Sequence, residues 1–470
     1  MIKLNFSSLA KIVDGRLLTD SYAGVSFNGV SIDSRTSAQN ELFVAIEGAN
    51  NDGHQYIDKA IEKNVAGLLL SNKYAQLEQI SKRIPIVAVN DTHLSLKRLA
   101  QDYARKVNAK YMAITGSNGK TTTKEFVYGI IHSLDQNTYR SPGNLNNEYG
   151  LPLAIFKMPS DCQFGIFEYG ISHPGEMTSL TEILTPDLAL ITNVGPTHLE
   201  TLGTIENVAE AKLELADAMA VNKPVLINAD DPILIQAAGR RSRRFITYGV
   251  TSRADFRAEK IGTDEFGNQL IKIDGETVQL PIFGDYQIYN LLAGYAVAKT
   301  IGLNPDSNQL SEIKYDFAPH RGQIENHDGL TIIADCYNAN PVSMASGLKS
   351  FKQYVAGRRD FTGRAVVVIG DMLELGKNST EHHRQIGELL ASLNFDLAVV
   401  VGKESSKIFK AALGSGLDKN KISHFENTGI AAEAIIENIK RGDIIYFKAS
   451  RGIALEKIIT LIKGSAFRQN

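Results

Sequence analysis

The feature that most constrains the fold of this chain is the alternation of apolar, strand-like runs with amphipathic, helix-like stretches over almost its whole length. Neighbouring parallel strands must be joined by crossovers, which are usually helices, so this rhythm is typical of α/β proteins with mainly parallel sheets. The chain has 470 residues. At about 100–200 residues per domain, that length predicts two to four domains, with three as the central expectation.

Changes in this rhythm indicate the domain boundaries. Residues 1–108 contain shorter, mixed segments and are predicted to form a small α/β domain. From 109 to 319, strands, glycine loops and helices repeat around a mostly parallel sheet, with an antiparallel insertion predicted over 253–284. A predicted hinge at 318–322 leads into residues 320–470, where the same repetition predicts a second doubly wound, Rossmann-like domain.

Several elements have patterns clear enough to be given bounds. Short apolar runs predict strands, and the spacing of apolar residues along one face predicts helices. The predicted strands cover residues 111–115, 164–167, 188–191, 330–334, 365–369, 397–401 and 444–447. The predicted helices include residues 94–107 and 290–300.

Composition excludes several classes of protein. The hydrophobic fraction of 43% and the charged fraction of 22% are typical of a globular protein, and a net charge of -2 gives no reason to expect nucleic acid as a partner. The two cysteines, Cys162 and Cys336, form no C-x-x-C pair, so neither a disulfide framework nor a cysteine zinc site is expected. The start of the chain has no apolar run of signal-peptide length, and no apolar stretch reaches the length of a membrane span. We therefore expect a cytoplasmic enzyme that acts on small molecules and is not inserted in a membrane. We also expect a monomer, although composition does not determine the oligomeric state.

The strongest local signal is a glycine-containing loop between an apolar strand and a helix. It consists of Gly116, Ser117, Asn118, Gly119, Lys120, Thr121 and Thr122. Glycines let consecutive N–H groups point at phosphate oxygens, Lys120 supplies a positive charge, and the Thr121 hydroxyl suits a magnesium ion. The common P-loop has four residues between its glycines and this loop has two, so an ordinary strand-to-helix turn is the alternative. The flanking strand and helix favour nucleotide binding, and hence a P-loop-type central domain.

A metal site is predicted at the same edge of the central sheet. Glu168 ends one apolar strand, and His198 lies in the loop after another. Ligands of open α/β sheets bind beyond the carboxyl ends of the strands, so both side chains should lie near Thr121 and the phosphates. A carboxylate and a neutral imidazole could complete the coordination of magnesium. The alternatives are that Glu168 caps a helix and that His198 is an ordinary loop residue.

Lys212 interrupts the apolar face of the helix that follows His198. That face carries Ile205, Val208, Lys212, Leu215 and Met219 at helical spacing. A lysine on an inward face is unfavourable unless its amine is paired or chemically altered. The alternative is a lysine whose stem covers apolar surface while its amine reaches water. The sequence leaves both open.

The P-loop, the predicted metal site and Lys212 resemble the corresponding features of the Mur ligase family. This family consists of ATP-dependent amino-acid and dipeptide ligases with three α/β domains. The family has a short P-loop, Gly-x-x-Gly-Lys-Thr/Ser, as at 116–121. Further segments that carry the resemblance are 143–148, 168–170, 173–176, 284–290, 335–341 and 370–376. They are most similar to the family members that add D-alanyl-D-alanine to a nucleotide-sugar tripeptide of the peptidoglycan precursor.

The resemblance implies a role for each matching position. Lys120, Glu168, His198 and Lys212 would be catalytic, with Thr121, Glu168, His198 and Lys212 around two magnesium ions and Lys212 modified to a carbamate. Asn290, Arg321 and Asp335 would join the P-loop in holding ATP. Substrate-binding residues would be Ser34, Arg35, Asn144, Asn146, Asn147, Tyr337, Asn338 and Asn340. Residues 1–108 would bind the UDP-sugar peptide, 109–319 ATP, and 320–470 the dipeptide and part of ATP.

Four other functions fit parts of the pattern. A sibling ligase for diaminopimelate or lysine usually carries an Asp-Asn-Pro motif that we do not find, and a folylpolyglutamate synthetase lacks the 144–147 and 337–340 segments. A P-loop regulatory ATPase would hydrolyse ATP without forming an amide. A protein that still binds ligands but has lost its catalytic activity is disfavoured, because the predicted active-site residues Lys120, Thr121, Glu168 and His198 are all present.

Overall fold

The computed structural model describes residues 1–48, 51–134, 137–264, 268–280, 283–313, 315, 319–358 and 361–464. Contacts along the chain group it into two compact units. The first consists of Met1–Thr115, Asp135–Ala189 and Glu214–Pro224, and the second of Gly116–Leu134, Leu190–Leu213 and Val225–Asn470. Residue 318 of the predicted hinge lies outside the described residues.

The N-terminal part carries two small sheets. Its strands are β1 Leu4–Asn5, β2 Arg16–Leu17, β3 Ser26–Phe27, β4 Val30–Ser31, β5 Leu42–Val44, β6 Gly67–Ser71 and β7 Ile86–Val89. Its helices are α1 Phe6–Val13, α2 Ile57–Glu62, α3 Leu77–Ile80 and α4 Thr92–Val107. Strands β4 to β7 are parallel, β2 joins β7 antiparallel, and β1 pairs with β3. The Asp91 side chain accepts a hydrogen bond from Leu94 N at 2.9 Å, which fixes the start of α4.

The central part is built on a nine-stranded sheet with the order β16-β15-β14-β13-β12-β11-β8-β10-β9. These strands are β8 Lys110–Thr115, β9 Thr138–Arg140, β10 Phe164–Glu168, β11 Leu188–Ile191, β12 Val225–Asn228, β13 Ile246–Gly249, β14 Phe256–Thr263, β15 Gln269–Ile273 and β16 Glu276–Leu280. Its helices are α5 Lys120–Leu134, α6 Gly150–Phe156, α7 Glu176–Ile183, α8 Leu199–Leu202, α9 Ile205–Asp217, α10 Pro232–Ala238, α11 Tyr286–Thr300 and α12 Ser307–Glu312. Strands β14 to β16 pair antiparallel, as predicted for the insertion.

The C-terminal part has a six-stranded sheet with the order β17-β18-β22-β19-β20-β21. Its strands are β17 Gln323–His327, β18 Leu330–Ala334, β19 Ala365–Gly370, β20 Leu397–Val401, β21 Ile422–Phe425 and β22 Ile444–Lys448. Its helices are α13 Pro341–Gly357, α14 Ser379–Leu393, α15 Ser405–Gly414, α16 Thr428–Asn438 and α17 Glu456–Gly464. Apolar residues of α13, α14 and α15 pack in one core cluster, and those of α16 and α17 pack in another with alternate strand residues. Helices therefore cover both faces of a mostly parallel sheet, as in a doubly wound domain.

The predicted elements agree with the observed ones, with two informative differences. The α/β class is confirmed, and each predicted strand begins and ends within one residue of an observed one. Helix α11 begins four residues before the predicted 290. Strand β17, antiparallel to β18, was not predicted, because the segment after the hinge carries polar residues rather than an apolar run.

Candidate active site

The P-loop connects β8 to α5 through two glycines that no other residue could replace without strain. Gly116 has φ +150° and Gly119 has φ +79°, conformations that L side chains rarely adopt. A Cβ atom on Gly116 would lie 1.9 Å from Thr192 Oγ1. Helix α5 begins at Lys120, directly after the second glycine, so its positive dipole end faces the loop. This is the geometry that receives phosphate groups in other P-loops.

Hydrogen bonds from the segment after β11 hold the loop in this shape. Asn193 Oδ1 accepts from the backbone N–H of Asn118 at 2.9 Å, and Thr192 Oγ1 donates to its carbonyl at 2.6 Å. Gly195 N donates to Ser117 Oγ at 2.9 Å. Sequence reasoning assigned no role to Asn193 or Thr192. Both residues directly follow β11, and this position at the carboxyl end of a strand could have indicated a role beside the P-loop.

Lys212 lies in the interior, on the apolar face predicted for α9. The residue is 2% exposed, and Val208, Leu215 and Met219 of the same face are buried. Burial, and secondarily the positive charge of Lys120, lower the pKa of Lys212 well below its usual range. A lysine that extends its amine to water would not be desolvated in this way, so that alternative is wrong. A lower pKa favours the unprotonated form of the amine, which is its nucleophilic form.

Lys120 lies close to the loop that precedes it. Its Nζ donates to the carbonyl of Gly116 at 2.8 Å. Thr121 and Thr122, at the first turn of α5, are both buried. The predicted phosphate-binding residues thus converge on one end of one helix.

His198 contacts the C-terminal sheet region through a residue that was not predicted. Its Nδ1 lies 3.2 Å from Glu374 Oε2. Both residues have left-handed backbones, with φ +53° at His198 and +62° at Glu374. The loop after β11 and the loop after β19 therefore meet at this pair.

Glu168 ends β10 in the first unit and is buried. Its Oε1 accepts a hydrogen bond from Asn146 Nδ2 at 2.8 Å. Asn147 Oδ1 accepts from Gly150 N at 2.8 Å at the start of α6, and the carbonyl of Asn144 accepts from Asn146 N at 2.9 Å. The side chains of Asn146 and Asn147, two of the three predicted substrate-binding asparagines, therefore hold Glu168 and the start of α6. Within the described ranges, no three His, Cys, Asp or Glu side chains are arranged to hold a metal ion.

Asn290 lies against the P-loop from the side of α11. Its Oδ1 accepts from Thr123 Oγ1 at 2.8 Å and would be 2.9 Å from a Cβ atom on Gly119. Its Nδ2 donates to Gln287 Oε1 at 2.8 Å. A predicted nucleotide-binding residue is thus held beside the second glycine of the loop.

Asp335 follows β18 and is held by a buried cluster that the sequence did not reveal. Its Oδ2 accepts from Lys448 Nζ and from Tyr446 Oη, both at 2.8 Å. The neighbouring Cys336 packs in the apolar core, where burial raises the pKa of its thiol to about 12. The cysteine is therefore a small core side chain and not a reactive group.

Arg321, Tyr337 and Asn340 lie in the loops that flank β17 and β18. The Arg321 guanidinium stacks on the Tyr337 ring at 3.9 Å, and its buried Nε has no hydrogen-bond partner within the described part of the chain. Asn340 begins α13 by accepting from Ser343 N, and its Nδ2 donates to Asn118 Oδ1 at 2.6 Å. Asn338 Oδ1 accepts from Ala339 N at 2.9 Å. One loop of the C-terminal sheet therefore touches the P-loop directly.

The two residues predicted to meet the UDP end of the substrate lie after β4. Ser34 is buried, whereas Arg35 is exposed. The Arg35 guanidinium bonds both carboxylate oxygens of Asp33, and these hydrogen bonds lower the pKa of Asp33 below its usual value.

Models of three domains of the Mur ligase family match most of the chain. The Mur ligase family catalytic domain matches residues 26–107, the middle domain 114–298, and the glutamate ligase domain 320–451. No helix among the described residues is both long and apolar enough to cross a bilayer.

Curated relatives match over nearly the full length. The UDP-N-acetylmuramoyl-tripeptide--D-alanyl-D-alanine ligase of Bacillus subtilis is 32% identical over 98% of this chain and 98% of its own. The ligase of the same name from Haemophilus influenzae is 31% identical over 98% and 99%.

Solved structures have the same fold. MurF from Acinetobacter baumannii superposes with a TM-score of 0.85 at 24% identity, over 99% of this chain and 100% of that one. MurF ligase from Thermotoga maritima in complex with ADP gives 0.80 at 27% identity, over 93% and 97%. The chain belongs to the Mur ligase family, the ATP-dependent ligases that form amide bonds.

Proposed function

We propose that this protein joins D-alanyl-D-alanine to UDP-N-acetylmuramoyl-tripeptide and converts ATP to ADP and phosphate. The product would be the UDP-N-acetylmuramoyl-pentapeptide precursor of peptidoglycan, made in the cytoplasm. The observation that carries this proposal is the 32% identity, over 98% of both chains, to a ligase of that name. The P-loop geometry supports it independently, because the start of α5 is arranged to receive phosphate groups.

In the first step, a terminal carboxylate oxygen of the tripeptide attacks the γ-phosphorus of ATP, and ADP leaves. Catalysis of phosphoryl transfer is mainly positioning and charge neutralisation. The loop from Gly116 to Thr122 would hold the phosphates, with Lys120 over the transferred group. Asn290, Arg321 and Asp335 would hold the rest of the nucleotide. Among the described residues, the buried Nε of Arg321 has no acceptor, and a buried donor without an acceptor supports this role.

Magnesium, when bound, would neutralise charge on the phosphates. Its protein ligands would be Thr121, Glu168, His198 and Lys212. Magnesium usually takes only one or two carboxylates from the protein and the remainder from phosphates and water, so the carboxylate of Glu168 beside a hydroxyl ligand fits this ion.

Lys212 would serve as a carbamate, formed when its neutral amine adds carbon dioxide and loses a proton. The lowered pKa supports this chemistry, because only the unprotonated amine can attack carbon dioxide. The modification replaces a cation with an anion. That change would remove the repulsion from Lys120 and give the buried side chain a favourable charge beside magnesium.

In the second step, the neutral amine of the dipeptide attacks the acyl phosphate carbon, and phosphate leaves as the amide forms. Water must be kept from the acyl phosphate, which favours closure of the domains around it. Residues 1–108 would hold the nucleotide sugar through Ser34 and Arg35, and 109–319 would hold ATP. Residues 320–470 would bind the dipeptide through Tyr337, Asn338 and Asn340. The site for the peptide stem would be lined by Asn144, Asn146 and Asn147.

A phosphate-release assay with different acceptors tests the proposal. We expect phosphate release only with ATP, magnesium, UDP-N-acetylmuramoyl-tripeptide and D-alanyl-D-alanine together. Single amino acids such as lysine or diaminopimelate, offered with the matching shorter nucleotide-sugar peptide, should give none. Equal release without any acceptor would instead indicate a P-loop ATPase that forms no amide.

A further inference from the structure

The strand order of the C-terminal sheet predicts a ligand-binding crevice at the carboxyl end of β22. Helix α17 leaves β22 toward one face of the sheet, whereas α13 and α14 leave the neighbouring strands β18 and β19 toward the other face. In open α/β sheets, ligands bind where loops depart in opposite directions in this way. The crevice is bounded by the loops at 335–340, 371–376 and 449–454.

Ser450 ties these three loops together. Its hydroxyl donates to the carbonyl of Ala339 at 3.1 Å and accepts from Leu373 N at 2.9 Å. Its own N–H donates to the carbonyl of Asp371 at 3.0 Å. Because Ser450 is buried, the loop that follows it has a fixed starting point.

Arg451 is the next residue and lies in the loop after β22 that bounds the predicted crevice. It stacks over Tyr337 at 5.5 Å, on a ring that also packs against Arg321. Its NH1 lies 3.7 Å from Glu456 Oε1, too far for a hydrogen bond, and 60% of the side chain is exposed. In the described part of the chain, the five N–H donors of its guanidinium have no hydrogen-bond acceptor. Arg451 thus offers a positioned cation with its donors available.

Tyr337, over which Arg451 lies, is three residues from a direct contact with the P-loop. Asn340, three residues after Tyr337, donates to Asn118 of the P-loop at 2.6 Å. Three residues span at most about 11 Å, and a dipeptide spans about 7 Å. A dipeptide with its amine at the transferred phosphate can therefore extend toward Tyr337. Lys448 cannot take that carboxylate, because Asp335 already pairs with its buried amine at 2.8 Å.

We propose that Arg451 binds the terminal carboxylate of the incoming D-alanyl-D-alanine and so selects acceptors with a free carboxylate. This inference rests on the proposed function and deepens it. Two arginines that contact the Tyr337 ring would then bind different ligands. Arg321 would bind the nucleotide, and Arg451 would bind the dipeptide. A guanidinium is suited to the second task, because its planar fork matches a carboxylate.

The test compares D-alanyl-D-alanine with D-alanyl-D-alaninamide, which lacks the carboxylate. Phosphate release gives kcat and KM for every substrate in the wild type, Arg451→Gln, Arg451→Lys and the control Arg441→Gln. Arg441 is an exposed arginine just before β22, at the opposite end of that strand. We expect the wild type to prefer the carboxylate about tenfold or more. In Arg451→Gln, KM for D-alanyl-D-alanine should rise about ten- to hundredfold and the preference should disappear.

Other kinetic constants make the assignment specific. In Arg451→Gln, kcat and the KM values for ATP and the nucleotide sugar should stay near wild type, and Arg441→Gln should behave as wild type. An unchanged preference for the carboxylate, a raised KM for ATP instead, or a folded Arg451→Gln enzyme inactive at every dipeptide concentration would each overturn the proposal.

Two further outcomes separate the possible failures. If Arg451→Gln unfolds at a lower temperature, Arg451→Lys decides: a raised KM for the dipeptide supports the proposal and an unchanged KM overturns it. A wild type that makes no pentapeptide refutes the proposed function itself. A wild type that makes pentapeptide while Arg451→Gln keeps its preference refutes only the role of Arg451.

Discussion

The Lys448–Asp335 pair gives a prediction whose magnitude follows from its burial. Lys448 is 5% exposed and Asp335 13% exposed, with Nζ and Oδ2 at 2.8 Å. Replacing Lys448 with methionine keeps an unbranched, apolar stem of four atoms but leaves a carboxylate without its cation. The Tyr446 hydroxyl, at 2.8 Å, would remain as a donor to that carboxylate.

Breaking a buried ion pair by removing one partner lowers the free energy of unfolding by about 3–5 kcal/mol. The remaining tyrosine donor places this variant near the lower limit, about 3 kcal/mol. For a domain of 150–250 residues, about 1 kcal/mol lowers the unfolding temperature by about 2–4 °C, so we expect a decrease of about 6–12 °C. Because Asp335 is also a proposed nucleotide contact, KM for ATP should rise in the same variant.

Thermal unfolding followed by far-UV circular dichroism measures the effect, since the chain has no tryptophan for fluorescence. The matched control is Lys463→Met, which removes the Lys463–Glu325 pair in the same sheet region. That pair is 39% and 42% exposed, so the control should lose at most about 1 kcal/mol. If Lys448→Met unfolds at the temperature of the control, the pair is not desolvated as the structure indicates, and the reasoning is refuted.

Four further predictions follow from the site. Lys120→Ala should lower turnover about 100-fold or more with an unchanged circular dichroism spectrum, and wild-type turnover would contradict the P-loop assignment. Gly116→Ala should lower the free energy of unfolding by about 1–3 kcal/mol and weaken ATP binding in a nucleotide titration, because the new methyl group would overlap Thr192. The double variant with Gly116→Ala and Thr192→Ala should lose less stability than the sum of the losses of the two single variants. If the two losses simply add, the overlap is contradicted. Lys212→Ala should lose most turnover yet bind ATP, with partial recovery in formate or acetate and loss of a carbon-13 carbamate signal; full activity would exclude the carbamate. The scattering curve should change when all substrates are present, and identical curves would speak against closure at the predicted hinge.

Features with a local or periodic signal were predictable from the sequence. The P-loop follows from glycines and Lys120 between an apolar strand and a helix, and the structure places α5 directly after it. The inward position of Lys212 follows from helical spacing alone, and the residue is 2% exposed. Because both signals lie within a few turns of chain, no knowledge of distant contacts was needed.

The partners of the site residues were not predictable, because they are distant in sequence. Asn118 meets Asn193 from 75 residues away, and Asp335 meets Lys448 from 113 residues away. A lysine at the end of an apolar strand gives no indication of which carboxylate it will pair with. Ser450 likewise looks like an ordinary loop residue until three strand ends are brought together. Such contacts depend on the order of strands in the sheet, which hydrophobic patterns do not specify.

The most direct test of the proposed reaction uses UDP-N-acetylmuramoyl-tripeptide labelled with oxygen-18 in its terminal carboxylate. Mass spectrometry would follow the pentapeptide product and the released phosphate in the same reaction with ATP and D-alanyl-D-alanine. We predict one labelled oxygen in the phosphate for each pentapeptide formed, because the carboxylate oxygen bonded to phosphorus leaves with it. Unlabelled phosphate, or phosphate formed without pentapeptide, would contradict an acyl phosphate mechanism for this ligase.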